Sequence, residues 1–109
     1  MRLYISGPIT DCPNYKRNFA TAQSILQEMG HTDIVNPAEL ERVMPDIEKM
    51  NHEEIIQVCF EFLSRCDAML LLPGWKKSTG CMAEWGYAQG QGNIIIVEFE
   101  DYIKGRGCP

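Results

Sequence analysis

Ala68-Met69-Leu70-Leu71-Leu72-Pro73-Gly74-Trp75-Lys76-Lys77-Ser78-Thr79-Gly80-Cys81-Met82-Ala83-Glu84 is the stretch that decides the fold. Asp67 to Leu72 reads as the third strand, and its run from Ala68 is apolar on both faces, which fits a central parallel strand covered on both sides. Pro73-Gly74 stops it, a polar loop follows, and a helix is expected from Thr79 to Gln91. That helix carries Gly86, read as an interruption, and ends near Gly90 or Gly92. A strand end that feeds a helix start is where open α/β sheets hold their ligands.

Working outward, Arg2 to Ser6 reads as a first strand, broken by the loop from Gly7 to Asn14. Tyr15, Phe19, Ala22, Leu26 and Met29 recur at helical spacing, with Asn14 as N-cap and Gly30 as stop. Asp33 to Asn36 is a short second strand. Ala38 to Met44 suggests a short helix, and the segment from 38 to 50 suggests a flap. Asn51 to Arg65 is a long helix with Ile55, Cys59, Phe62 and Leu63 on its inner face. Asn93 to Glu98 is the fourth strand, and residues 99 to 109, with two glycines and a proline, read as an irregular tail. The alternation predicts an α/β fold, a small doubly wound (Rossmann/flavodoxin-like) parallel sheet of four to five strands flanked by helices. One domain over residues 1–109 is the expectation for a chain of 109 residues.

Composition narrows the function. A formal charge of -5 argues against a nucleic acid polymer as partner, while leaving room for a small phosphorylated ligand. The longest apolar run is too short for a membrane span, and no signal-peptide pattern opens the sequence, so a cytoplasmic protein is expected. Five cysteines without C-x-x-C spacing, and two isolated histidines, suggest reduced structural thiols and no metal. There is no G-x-G-x-x-G and no phosphate-loop lysine motif, which argues against NAD binding and ATP hydrolysis of the usual kinds.

Several residues have both a structural and a chemical reading. Glu84 is either a helix glutamate favoured by the helix dipole, or a carboxylate nucleophile for glycosyl transfer. Tyr4 is a core aromatic or the partner that holds Glu84. Gly7 would let backbone approach a ligand. Ser78, Thr79 and Gly80 offer a hydroxyl and N–H groups at a helix start, a setting for an anion. Asp67 caps a turn or reacts; Asp11 contacts a ribose or caps a turn; Trp75 stacks on a base or anchors an interface. Lys76 and Lys77 attract a phosphate or are simply solvated.

Taken together, Tyr4-Ile5-Ser6-Gly7-Pro8-Ile9, Asn36-Pro37-Ala38, Cys66-Asp67-Ala68 and Ser78-x-Gly80-x-x-x-Glu84-x-Gly86-Tyr87-Ala88 resemble the nucleoside 2-deoxyribosyltransferase-like superfamily. The small phage and bacterial members of unassigned function are the most similar. The resemblance covers the chain to about Val97. Pro8, Asp11, Asn36, Asp67 and Trp75 are candidate substrate contacts from their positions in the chain; the resemblance itself implies a nucleophilic Glu84 held by Tyr4, and a cleft lined by Gly7, Ile9 and the Ser78–Gly80 loop. It also implies cleavage or transfer at the N-glycosidic bond of a nucleoside or nucleotide, no cofactor, and a homodimer. Transferases of that superfamily usually carry an aspartate six residues before the glutamate. Ser78 stands there, as in the 2′-deoxynucleoside 5′-phosphate N-hydrolases, and a serine can donate to a 5′-phosphate that an aspartate would repel. Pro8 and Thr10 replace the serine and the basic residue of those hydrolases. The alternative function is a non-catalytic module that binds a nucleotide or a nucleotide-derived signal; a weaker one is an interaction domain built on Trp75 and Trp85.

Overall fold

The computed structural model describes residues 1–40, 44 and 49–107. Four strands, β1 (Leu3–Ser6), β2 (Ile34–Val35), β3 (Ala68–Leu71) and β4 (Ile95–Glu98), form one parallel sheet in the order β2-β1-β3-β4. Leu3 pairs with Ile34 on one side and Ala68 on the other, and Ala68 pairs with Ile95. Four α-helices connect and flank the sheet: α1 (Tyr15–Glu28), α2 (His52–Ser64), α3 (Thr79–Gln91) and α4 (Phe99–Gly107). This is the expected α/β arrangement. The chain leaves β1 for one edge, then returns past it to β3, so the strand order reverses between β1 and β3. Connections diverge at that point and open a crevice beyond the strand ends.

The inner strands are buried throughout, and their alternation divides the core in two. Leu3, Ile5, Ala68, Leu70 and Leu72 face Phe19, Ala22 and Leu26 of α1 and Phe99 of α4. Tyr4, Met69 and Leu71 face Cys59 and Leu63 of α2 and Ala88 of α3. The apolar face expected for α1 is present, whereas Phe62 of α2 is exposed. The fourth strand is shorter than its apolar run and lies at an edge, so Ile94 is buried but Ile95 is 56% exposed.

Caps explain the helix boundaries. Asn51 accepts from the Glu54 N–H while the Glu54 carboxylate accepts from the Asn51 N–H, a reciprocal box at the start of α2. Ser78 accepts from the Cys81 N–H at the start of α3. Gly92, at φ 75°, ends α3 in the left-handed conformation that glycine adopts without strain. Asn14 precedes α1 as expected but makes no side-chain cap. Gly86 does not interrupt α3, because helical hydrogen bonding continues through it at only the modest cost of a missing side chain.

The expectation for the C-terminal residues is overturned as well. Residues 99 to 107 are not an irregular tail but α4. Buried Phe99 and half-buried Tyr102 and Ile103 follow helical spacing and pack on the α1 side of the sheet. Glu100 and Asp101 lie in the first turn, where the helix dipole favours acids. That burial and charge placement outweigh the glycines. The expected helix from Ala38 to Met44 and the flap from 38 to 50 fall largely outside the described residues; within them, Pro37–Glu39 is a 3-10 turn. Among the described residues no helix is long and apolar enough to cross a membrane.

Candidate functional site

Strand periodicity builds the centre of the site. Tyr4 and Ser6 are two residues apart on β1, so both point to the side covered by α2 and α3. Glu84, in the second turn of α3, faces them. The Tyr4 hydroxyl donates to Glu84 Oε2, and the Ser6 hydroxyl donates to Glu84 Oε1 at 2.8 Å. Tyr4 and Ser6 are essentially inaccessible and Glu84 is 7% exposed. A carboxylate so placed is costly unless its oxygens are satisfied, and each has one hydroxyl donor.

Burial pushes the Glu84 carboxyl up to about 7, while the bonds from Tyr4 and Ser6 hold it lower than burial alone would. Burial, and then the neighbouring Glu84 charge, raise the Tyr4 phenol well above its usual range, so it stays a donor. Burial likewise lifts the Cys59 thiol to about 11 and raises that of Cys81; both are neutral neighbours of Glu84. This agrees with structural thiols, and Cys12, Cys59, Cys66 and Cys81 are all unpaired. The described residues include no group of three or more His, Cys, Asp or Glu placed to hold a metal ion.

Glu84 and Ser6 lie on the wall of a cavity of about 230 Å³ at the carboxyl ends of the strands. The loop after β1 supplies Gly7, Ile9 and Thr10, α2 supplies Ile55, Ile56 and Cys59, and the start of α3 supplies Ser78, Gly80 and Cys81. Among the described residues the wall is mainly apolar and holds no cationic side chain. Its polar extension is an adjoining depression lined by Thr10, Asp11, Lys77, Ser78, Thr79 and Gly80. Thr10, Ser78 and Gly80 line both, and Lys77 lines only the outer one. Asp11, at φ 60°, is the one described non-glycine residue in the left-handed region.

Of the residues singled out in the sequence, Gly7, Ile9, Ser78, Gly80 and Glu84 therefore meet in one cavity, with Tyr4 behind Glu84 and Asp11 at the mouth. The others are elsewhere. Asp67 precedes β3 at the amino-terminal edge of the sheet, where its carboxylate accepts from the Arg2 N–H at 2.7 Å. Asn36 caps the following turn through the Ala38 N–H and donates to Gln23. Trp75 packs near Trp85 and donates its indole N–H to Glu98, which ties the loop after β3 to the end of β4. Pro8 lines a separate depression between α1 and α4. Gly7 has a packing reason in addition to its place in the cleft. A Cβ there would come within 2.8 Å of Leu72 Cδ1 and 3.0 Å of Leu72 Cβ.

The sequence includes Ser6 in the Tyr4 to Ile9 motif but does not reveal it as a partner of Glu84. Its signal was present: it stands two positions after Tyr4 on a strand, so any group that Tyr4 touches is within its reach too. Helical periodicity places Ile55 and Cys59 on an inner face without pointing to a cavity, and gives Ile56 no role.

No curated protein matches the chain. Residues 1–97 match the family model described as Domain of unknown function (DUF4406). That match runs from before β1 to Val97 in β4 and so includes every residue of the Glu84 site, and the chain belongs to the DUF4406 family.

Proposed function

We propose that this protein cleaves or transfers the N-glycosidic bond of a (deoxy)nucleoside 5′-monophosphate, or of the nucleoside, with Glu84 as nucleophile. The observation that carries the reading is the buried Glu84 carboxylate, held by Tyr4 and Ser6 on the wall of the cavity at the strand-order reversal. Isolated buried carboxylates are rare because they are costly, and clefts are where their altered acidity is put to use. The resemblance of the Tyr4 to Ile9 and Ser78 to Ala88 segments to the nucleoside 2-deoxyribosyltransferase-like superfamily supplies the reaction class.

In the reaction, a lone pair of the Glu84 carboxylate forms a bond to the anomeric carbon C1′. The C1′–N bond breaks, and its electron pair leaves with the base, which takes a proton from water. Oxocarbenium character at C1′ is stabilised by the adjacent negative charge. Water, or a second base, then attacks C1′ and returns the carboxylate; the attacking water gives its proton to solvent. The sugar occupies the apolar cavity, and its 5′ group points to Ser78, Thr79 and Lys77, where a hydroxyl, a helix start and an ammonium favour a phosphate. A homodimer is the expected assembly by the same resemblance.

The test is release of free base from a panel of nucleoside monophosphates and nucleosides, by wild type and Glu84→Ala. Release by wild type alone supports the reading. No release from any substrate, or equal release by the variant, refutes it; tight binding without release by wild type identifies a binding module instead.

A further inference from the structure

Ser6 closes β1 at 1% exposure, on a strand whose other residues are apolar or aromatic. Its hydroxyl lies 2.8 Å from Glu84 Oε1, while Tyr4 takes Oε2. Ser6 lines the cavity and Tyr4 does not. The two oxygens of Glu84 therefore differ in their partners: Oε2 has Tyr4, which is outside the cavity lining, and Oε1 has Ser6, which is part of it. We propose that Ser6 is a positioning residue that presents Oε1 as the attacking atom and receives the charge back on that atom when the glycosyl-enzyme breaks down. This rests on the glycosyl-transfer reading above.

The chemistry assigns Ser6 mainly to the second step. During attack, one lone pair of Oε1 forms the C1′–O bond while the C1′–N pair leaves with the base, which is protonated by water. In the glycosyl ester, Oε1 is a poor acceptor and the Ser6 bond weakens. When water attacks C1′, the C1′–Oε1 pair returns to Oε1, the water proton goes to solvent, and the Ser6 bond strengthens as the charge develops. A donor that gains strength in a transition state speeds that step in particular. Among the described residues, the titratable groups that face Glu84 are Tyr4 from β1, Cys59 from α2 and Cys81 from α3, and burial holds all three neutral.

Ser6→Ala tests this with two readouts. Rapid-quench kinetics with a substrate turned over by wild type should show a burst of base followed by a steady rate reduced about 100-fold, as for loss of one donor to a developing anion. The carboxyl carbon of Glu84, followed by NMR, should titrate roughly one to two pH units higher than in wild type, the size expected for one hydrogen bond to a charged group. Ser6→Cys, nearly the same in size and a weaker donor, should fall between the two and guards against a folding defect in Ser6→Ala. An unchanged Glu84 titration in both variants overturns the proposal, as does a steady rate equal to that of wild type. If no variant and no wild-type sample releases base, yet the Glu84 titration moves as stated, the glycosyl-transfer reading fails while the hold of Ser6 on Oε1 stands.

Discussion

Replacing Glu84 with glutamine should change how stability depends on pH. Burial raises the Glu84 carboxyl from its ordinary 4.5 to about 7 in the folded protein. Between those values the folded state keeps a proton that the unfolded state has released, so unfolding free energy falls as pH rises. The penalty is absent below about pH 4.5 and complete above about pH 7, and at 1.36 kcal/mol per pH unit it is limited to about 3 kcal/mol. Glutamine has nearly the same volume, its carbonyl can accept from Tyr4, and it does not titrate. Between pH 5 and pH 8 the wild type should therefore lose about 2 to 3 kcal/mol more than Glu84→Gln. Urea unfolding followed by far-UV circular dichroism at several pH values gives both curves. Every other titrating group is common to the two proteins and cancels in the difference. Curves that stay parallel within about 0.5 kcal/mol, near the scatter expected of independent sites, would refute the claim that a buried, ionisable Glu84 is held in this cavity.

Tyr4→Phe should remove the donor to Glu84 Oε2, lower stability at pH 8 by about 2 kcal/mol with a smaller loss at pH 5, and slow base release, all measurable on the same samples. Gly7→Ala should cost about 1 to 3 kcal/mol in urea unfolding, because the new methyl group meets Leu72 at a strand end with little room to move. Asp67→Ala should leave ligand binding and turnover unchanged and cost about 1 kcal/mol or less, since its carboxylate serves the Arg2 N–H at the opposite edge of the sheet.

Much of this architecture was legible in the residues. The apolar run of β3 announces an inner strand, and the spacing of Phe19, Ala22 and Leu26 announces the face of α1. The C-terminal helix was not legible because Gly105, Gly107 and Pro109 argue for disorder more loudly than Phe99, Tyr102 and Ile103 argue for a packed face. The cleft was legible in part. Ser78, Gly80 and Glu84 follow one strand end, and Gly7 and Ile9 follow another, so parallel topology brings them together. Asp67 belongs to the same short segment of sequence but precedes its strand, and one strand length separates the two edges of the sheet. Trp75 sits in the right loop, yet its contacts with Glu98 and Trp85 turn it away from the cavity. The bond from Ser6 to Glu84 was not legible because a serine at a strand end names no partner of its own; only the residue on α3 gives it one.

The most direct measurement of the central claim is mass mapping of the peptide that contains Glu84 after rapid acid quench of wild-type protein turning over a nucleoside 5′-monophosphate. The mechanism predicts a glycosyl ester on Glu84 in wild type, in larger amount in Ser6→Ala, and none in Glu84→Gln. Base release without any adduct at Glu84, or an adduct on a different residue, would contradict Glu84 as the nucleophile.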